Sequence, residues 1–141
     1  MDCNYDRTRL VMNFHDLEIM SRTVFGEARG ESSDGQVAVA AVILNRVRHH
    51  TRWADEIYMV CLQEKQFSCW NPGDPNRELL MEADLDDERM QSAVVACISA
   101  VEGYDPSNGA DHYFATYIPT PSWAEEMTQT AEIGVHRFFK A

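Results

Sequence analysis

The stretch "VFGEARGESSDGQVAVAAVILNRV", residues 24–47, places two carboxylates, Glu27 and Glu31, and two glycines, Gly26 and Gly30, where two apolar segments meet. Glu27 continues a stripe of Phe14, Leu17, Met20 and Val24 at three- and four-residue spacing, the spacing of one helical face. A carboxyl on or beside a buried face loses hydration, which disfavours its ionised form and raises its pKa. An acid kept protonated near neutral pH can donate to the bridging oxygen of a glycosidic bond. The alternative is that the helix ends here and Glu27 turns to solvent. Glu31 follows four residues on, so an unbroken helix would put both acids on one face, but Gly30 interrupts that expectation. Glu31 is then a candidate second carboxylate, a partner for the dipole of the next helix, or plain surface. Arg29 stands between them, placed to clamp either acid or a substrate oxygen.

A second group is "QFSCW", 66–70. Gln66 and Ser68 offer hydrogen bonds, while Phe67 and Trp70 offer flat apolar faces. Sugar sites combine the two, matching hydroxyls with polar groups and pyranose C–H faces with rings. Tyr113, Tyr117 and Trp123 fit the same logic. The competing reading is that the rings plug the core beneath a loop. His112 and His136, taken with Cys69, raise a third chemistry, that of a thiol or zinc amidase. No H-E-x-x-H or tight ligand cluster supports it, and His49 and His50 stand at a helix end, where a cation suits the dipole.

These groups need elements to hold them. The periodicity predicts a helix over 14–27, capped by Asn13 or Asp16 and ended near Gly30. Ser33 and Gln36 fit a capping box opening a helix over 34–48, apolar on nearly every face until Asn45 and Arg46 and therefore central in the core. Further helices are expected over 53–63, 76–84 and 86–103, and Pro72, Gly73 and Pro75 mark an irregular loop. "DHYFATYI" reads as a strand, "TPSWAEEM" as a brief helical turn, and "TAEIGVHRFFKA" as a second strand pairing with 111–118 in a hairpin. The class is mainly α (α+β), a single domain over 1–141 with 1–13 as an N-terminal extension.

The totals limit the partners. With a formal net charge of -11 the chain is a poor match for nucleic acid, whose affinity comes largely from Lys and Arg on phosphates, and for a polybasic membrane anchor. No apolar run reaches the roughly 18 residues of a membrane span, so no stable membrane insertion is expected. The start, "MDCNYDRTRLVMNFHDLEIM", lacks the apolar core of a signal peptide. Cys3, Cys61, Cys69 and Cys97 form no C-x-x-C pair and read as free thiols of a protein made in the cytoplasm, a Cys61–Cys69 bridge being the alternative.

Together "SRTVFGEARGESSDGQVAVAAVILNRV", "QFSCW", "GADHYF", "PSW" and "IGVHRFF" resemble, in order and spacing, the spore-cortex-lytic (SleB/CwlJ-type) cell-wall hydrolases across roughly residues 16–140. The resemblance implies a peptidoglycan-cleaving enzyme with a compact helical core like that of lysozymes and lytic transglycosylases. It implies that Glu27 is the catalytic acid. It also places Glu31, Gln36, Asn45, Gln66, Phe67, Trp123 and His136 on motif positions around a glycan groove. The family includes members described as transglycosylases, muramidases, glucosaminidases and amidases, so the polymer is implied more sharply than the bond. The expected partner is a peptidoglycan glycan strand, bound by a monomer without a cofactor. Lacking an evident export signal or wall-binding module, the chain is expected to be a bacteriophage endolysin, made in the host cytoplasm and released to the wall at lysis.

Overall fold

The structure is a computed structural model describing residues 12–49 and 52–141. Helix α1 spans Phe14–Ala28. Asn13 caps it: its side chain accepts from the Asp16 N–H at 2.8 Å, and Asp16 accepts in return from the Asn13 N–H at 3.3 Å. The other Asp16 oxygen takes the Tyr58 N–H at 3.2 Å and so ties a distant helix to this cap. Met20 and Val24 lie fully in the core, as the stripe requires. Phe14, on the same stripe, is 92% exposed, although Asp16 two residues on is buried.

Helix α2, Ser33–Arg48, is buried continuously from Gly35 to Leu44 and forms the hub against α1 and a later helix over Glu88–Val101. The expected Ser33–Gln36 capping box does not form. Ser32 is the cap, accepting from the Gly35 N–H at 3.2 Å, so the helix starts one residue earlier. Gln36 is thereby turned back and donates to the Glu31 carbonyl at 3.1 Å.

Helix α3, Ile57–Leu62, is shorter than expected, because Trp53 is held off the helix by stacking beneath Arg46 and beside His112. A 3-10 turn, Ser68–Trp70, precedes α4, Pro75–Glu82, which Asp74 caps. Helix α5, Glu88–Val101, lays Ala93, Ala96 and Ala100 into the core, small residues that let it approach α2 closely. Cys61, Cys69 and Cys97 are free and buried.

The C-terminal part departs from the expected hairpin. Residues 128–140 make two strands, β2 (Thr128–Ile133) and β3 (His136–Lys140), reversed at Gly134 with φ +56°. With β1 (His112–Ala115) they form a three-stranded antiparallel sheet in the order β1-β3-β2, Tyr113 opposite Phe138. A positive φ that suits glycine is the local cause of the reversal. Phe138 faces the main core, while its neighbour Phe139 joins Phe114 and Ala124 in a small cluster on the opposite face, with Trp123 packed on it.

Candidate active site

A groove of about 460 Å³ runs between the C-terminal end of α1, the 65–68 loop and the sheet. Among the described residues, Glu27 is the only carboxylate on its wall. Around it lie Gln66 and Ser68 from the loop, Tyr113 from β1, Tyr117 and Trp123 from the segment after β1, and His136 from β3. The sequence therefore brought the acid, the "QFS" polar groups and the aromatic platforms to one place.

How Glu27 is held follows from its neighbour Gly26. A Cβ on Gly26 would stand 2.7 Å from the Cys69 Cβ and 2.8 Å from the Leu80 Cδ2. Lacking one, α1 lets the 3-10 turn pack directly on its surface, and the Cys69 N–H then reaches the Glu27 Oε1 at 3.3 Å. Burial raises the Glu27 pKa above its ordinary 4.5, and the nearby Asp74 charge raises it further. Donors from Cys69 and Tyr113 oppose this in part by favouring the carboxylate. The balance is an acid that keeps its proton longer than a solvated glutamate. Burial and the adjacent Glu27 also drive the Tyr113 hydroxyl well above its usual pKa, so it remains a donor.

The remaining candidates serve the groove without lining it. Arg29 clamps neither acid. It caps α1 by donating to the Phe25 and Gly26 carbonyls at 3.3 and 3.4 Å and orients Asn76, a groove residue, at 2.7 Å. Asn45 donates to Asp105 Oδ2 at 3.1 Å and to the Ala110 carbonyl at 2.8 Å, pinning the loop that leads into β1. Phe67 is a core residue at 2% exposure, and Trp70 anchors the 3-10 turn by donating from Nε1 to Thr23 Oγ1 at 2.9 Å. For these two rings the plugging alternative describes the packing. His112 stands behind Trp123, ring centroids 5.0 Å apart, with its Nδ1 2.9 Å from Asp111 Oδ1. Burial lowers its pKa, and Asp111 works against that shift. Gln36 is buried and holds the Glu31 carbonyl. Glu31 accepts from the Val135 N–H at 3.0 Å.

Sequence reasoning missed Arg46, Lys65 and Asn76 on the groove wall. Arg46 carried a readable signal, a cation two residues before the end of an otherwise buried apolar helix. It is 5% exposed, sandwiched by the Trp53 and Phe67 rings at 5.4 and 5.1 Å, and donates to the Asp111 carbonyl at 2.8 Å and to Gln66 at 3.3 Å. Lys65 comes from a loop and Asn76 from the first turn of the short helix α4, positions whose side-chain direction no periodicity reports.

The thiol chemistry finds no support in this geometry. Burial and then the Glu27 charge push the Cys69 thiol far up, away from the thiolate that attack requires. Among the described residues, no three His, Cys, Asp or Glu side chains converge on a metal position.

The helical core thus presents one desolvated acid in an aromatic-walled groove. The chain belongs to the cell wall hydrolase family, whose model matches residues 30–139. That match begins just after Glu27. The spore cortex-lytic enzyme of Halalkalibacterium halodurans is 37% identical over 124 residues, which are 88% of this chain and 34% of that protein. The spore cortex-lytic enzyme of Bacillus subtilis is 32% identical over 124 residues, 88% of this chain and 37% of that protein. The chain thus spans well under half the length of these relatives. The crystal structure of the catalytic domain of the Bacillus cereus SleB protein superposes with a TM-score of 0.77 at 31% identity, over 95% of this chain and 98% of that one. The catalytic domain of the germination-specific lytic transglycosylase SleB from Bacillus anthracis gives 0.68 at 29% identity, over 99% and 100%.

Proposed function

We propose that this protein is a peptidoglycan lytic transglycosylase that cleaves the β-1,4 bond between N-acetylmuramic acid and N-acetylglucosamine, with Glu27 as its single acid and base. The observation that carries this reading is Glu27 itself, a carboxylic acid whose pKa is raised by burial and which stands alone among carboxylates on the groove wall of the described residues. Glu27, protonated, gives its proton to the bridging oxygen as positive charge develops on the muramoyl ring. The carboxylate left behind then takes the proton of the muramoyl C6 hydroxyl, whose oxygen closes on C1 to give a 1,6-anhydro end. This sequence needs no second carboxylate, whereas a hydrolase that activates water commonly uses one. Tyr113, Tyr117 and Trp123 offer ring faces to the sugars, and Gln66, Ser68, Arg46 and Asn76 offer donors to their oxygens and N-acetyl groups. The related lytic transglycosylase from Bacillus anthracis supports the same bond chemistry.

Digestion of purified sacculi followed by mass spectrometry of the soluble muropeptides tests the proposal. Anhydro ends are expected. Hydrated reducing ends would make it a muramidase or glucosaminidase, and free peptides with intact glycans would make it an amidase. Binding to sacculi without release of fragments would make it a non-catalytic wall-binding module. The endolysin role is tested separately, by expression inside a Gram-negative host with and without a pore-forming holin. Lysis that depends on the pore is expected, and failure to lyse with it would remove that role.

A further inference from the structure

Glu31 is the second acid of the opening motif, yet its surroundings are those of a seat. Its side chain leaves the α1–α2 corner over Gly35, where a Cβ would come 3.0 Å from the Glu31 Cβ. The carboxylate ends against Gly134, where a Cβ would come 2.5 Å from Oε1. Glycine therefore makes room at both ends. Oε1 accepts the Val135 N–H at 3.0 Å, and Gln36 holds the Glu31 carbonyl at 3.1 Å, fixing the backbone from which the side chain departs. Oε1 is also 3.8 Å from His136 Nδ1, a nitrogen sealed from solvent with no hydrogen-bond partner. The His136 ring lines the groove and packs edge-on against Tyr113, centroids 4.9 Å apart, and Tyr113 shares the groove wall with Glu27.

We infer that Glu31 is a positioning residue: it clasps the β2–β3 turn to the α1–α2 corner and so sets where His136 and Tyr113 stand relative to Glu27. The E-x-x-x-G-Q part of the motif is the seat of this clasp, with Glu31 as the latch, Gly35 as clearance and Gln36 as backbone brace. A latch of this kind acts by holding an acceptor at the turn. Its charge takes no part in bond cleavage.

The inference rests on the proposed glycan reaction, and the experiment separates the two. Turnover and KM on soluble glycan strands are measured for Glu31→Gln, Glu31→Ala, Gly134→Ala and Glu27→Gln, with melting curves for each. Glu31→Gln keeps an oxygen to accept the Val135 N–H and should stay within about threefold of the parent in kcat/KM, with unchanged product ends. Glu31→Ala and Gly134→Ala release or displace the latch and should raise KM by roughly 10- to 100-fold, with kcat much less affected. Loss of turnover in Glu31→Gln as deep as that in Glu27→Gln would overturn the inference by making Glu31 an acid of the reaction. So would an unaltered KM in Glu31→Ala. If Glu31→Ala fails to melt cooperatively, Glu31→Gln decides alone. Full activity in Glu27→Gln would defeat the reaction scheme while leaving the KM effects as a reading of the clasp.

Discussion

Adding one methyl group at Gly26 tests how the acid is held. The new Cβ would lie 2.7 and 2.8 Å from the Cys69 Cβ and Sγ and 2.8 Å from the Leu80 Cδ2. Carbon atoms rest about 3.5–4.0 Å apart, so the neighbours must retreat by about 1 Å. Cys69 meets the intruder with its Cβ, close to its own backbone, so the 3-10 turn has to move as a unit. Overpacking of this kind costs about 1–3 kcal/mol. Replacing a helical glycine by alanine returns about 0.5–1 kcal/mol. The net expectation is a loss of up to about 2.5 kcal/mol, centred near about 1 kcal/mol, or up to roughly 10 °C in melting temperature at this chain length. Function should suffer more than stability, because the displaced segment carries the Cys69 N–H that holds Glu27 at 3.3 Å. A displacement near 1 Å at a reacting group costs about 10²-fold. Gly30 supplies the control: nothing lies within 4 Å of a Cβ there and its φ is not left-handed, so Gly30→Ala should be neutral or stabilise by up to about 1 kcal/mol. The assay pairs differential scanning fluorimetry with turbidity loss of sacculi. A Gly26→Ala protein that melts at or above the parent temperature and clears sacculi at full rate would refute the packing argument.

Further outcomes follow from the same geometry. Glu27→Gln should lose about 10²–10⁴-fold in turnover, since the amide has no proton to give. Because burial raises the folded-state pKa of Glu27, the stability contributed by its proton is complete below the unfolded pKa and is lost as pH rises through the folded one. Glu27→Gln should therefore melt above the parent at mildly alkaline pH, with the gap closing toward about pH 4; an equal gap at every pH would contradict a raised pKa. Asn45→Ala removes two hydrogen bonds to the 105–110 segment and should cost about 2 kcal/mol. Faster hydrogen exchange should appear over 105–111, and unchanged exchange there would deny the pinning role. Iodoacetamide should leave native activity intact, since burial raises Cys69 and pushes Cys61 and Cys97 each up to about 12. Rapid inactivation with alkylated Cys69 in the peptide map would revive thiol chemistry.

Much of the architecture was legible because it depends on local patterns. The uninterrupted apolar character of "VAVAAVIL" required a helix buried on every side, and α2 is that helix. Asn13 with Asp16 three residues later is a reciprocal cap that any chain carrying it can form. Where a pattern admitted two neighbouring solutions, the sequence reading erred by a residue or an element. Ser32 and Ser33 are chemically equal caps, and in the fold Ser32 caps the helix while Gln36 reaches the Glu31 carbonyl. The single strand expected over 130–141 contained a glycine that reverses the chain.

By itself the sequence determined a helical domain with a buried central helix, a polar and aromatic loop at 66–70, and an acid, Glu27, on the edge of an apolar stripe. Periodicity reports which residues share a face, and composition reports which faces avoid water. Neither reports which distant segment arrives at a given face. That was decided in three dimensions, when the 65–70 loop packed on Gly26 and the β2–β3 turn came to rest on Glu31. Two acids four residues apart thereby received different surroundings. Glu27 faces a groove and, because it is buried, holds its proton longer, while Glu31 accepts a backbone N–H and sits between two glycines.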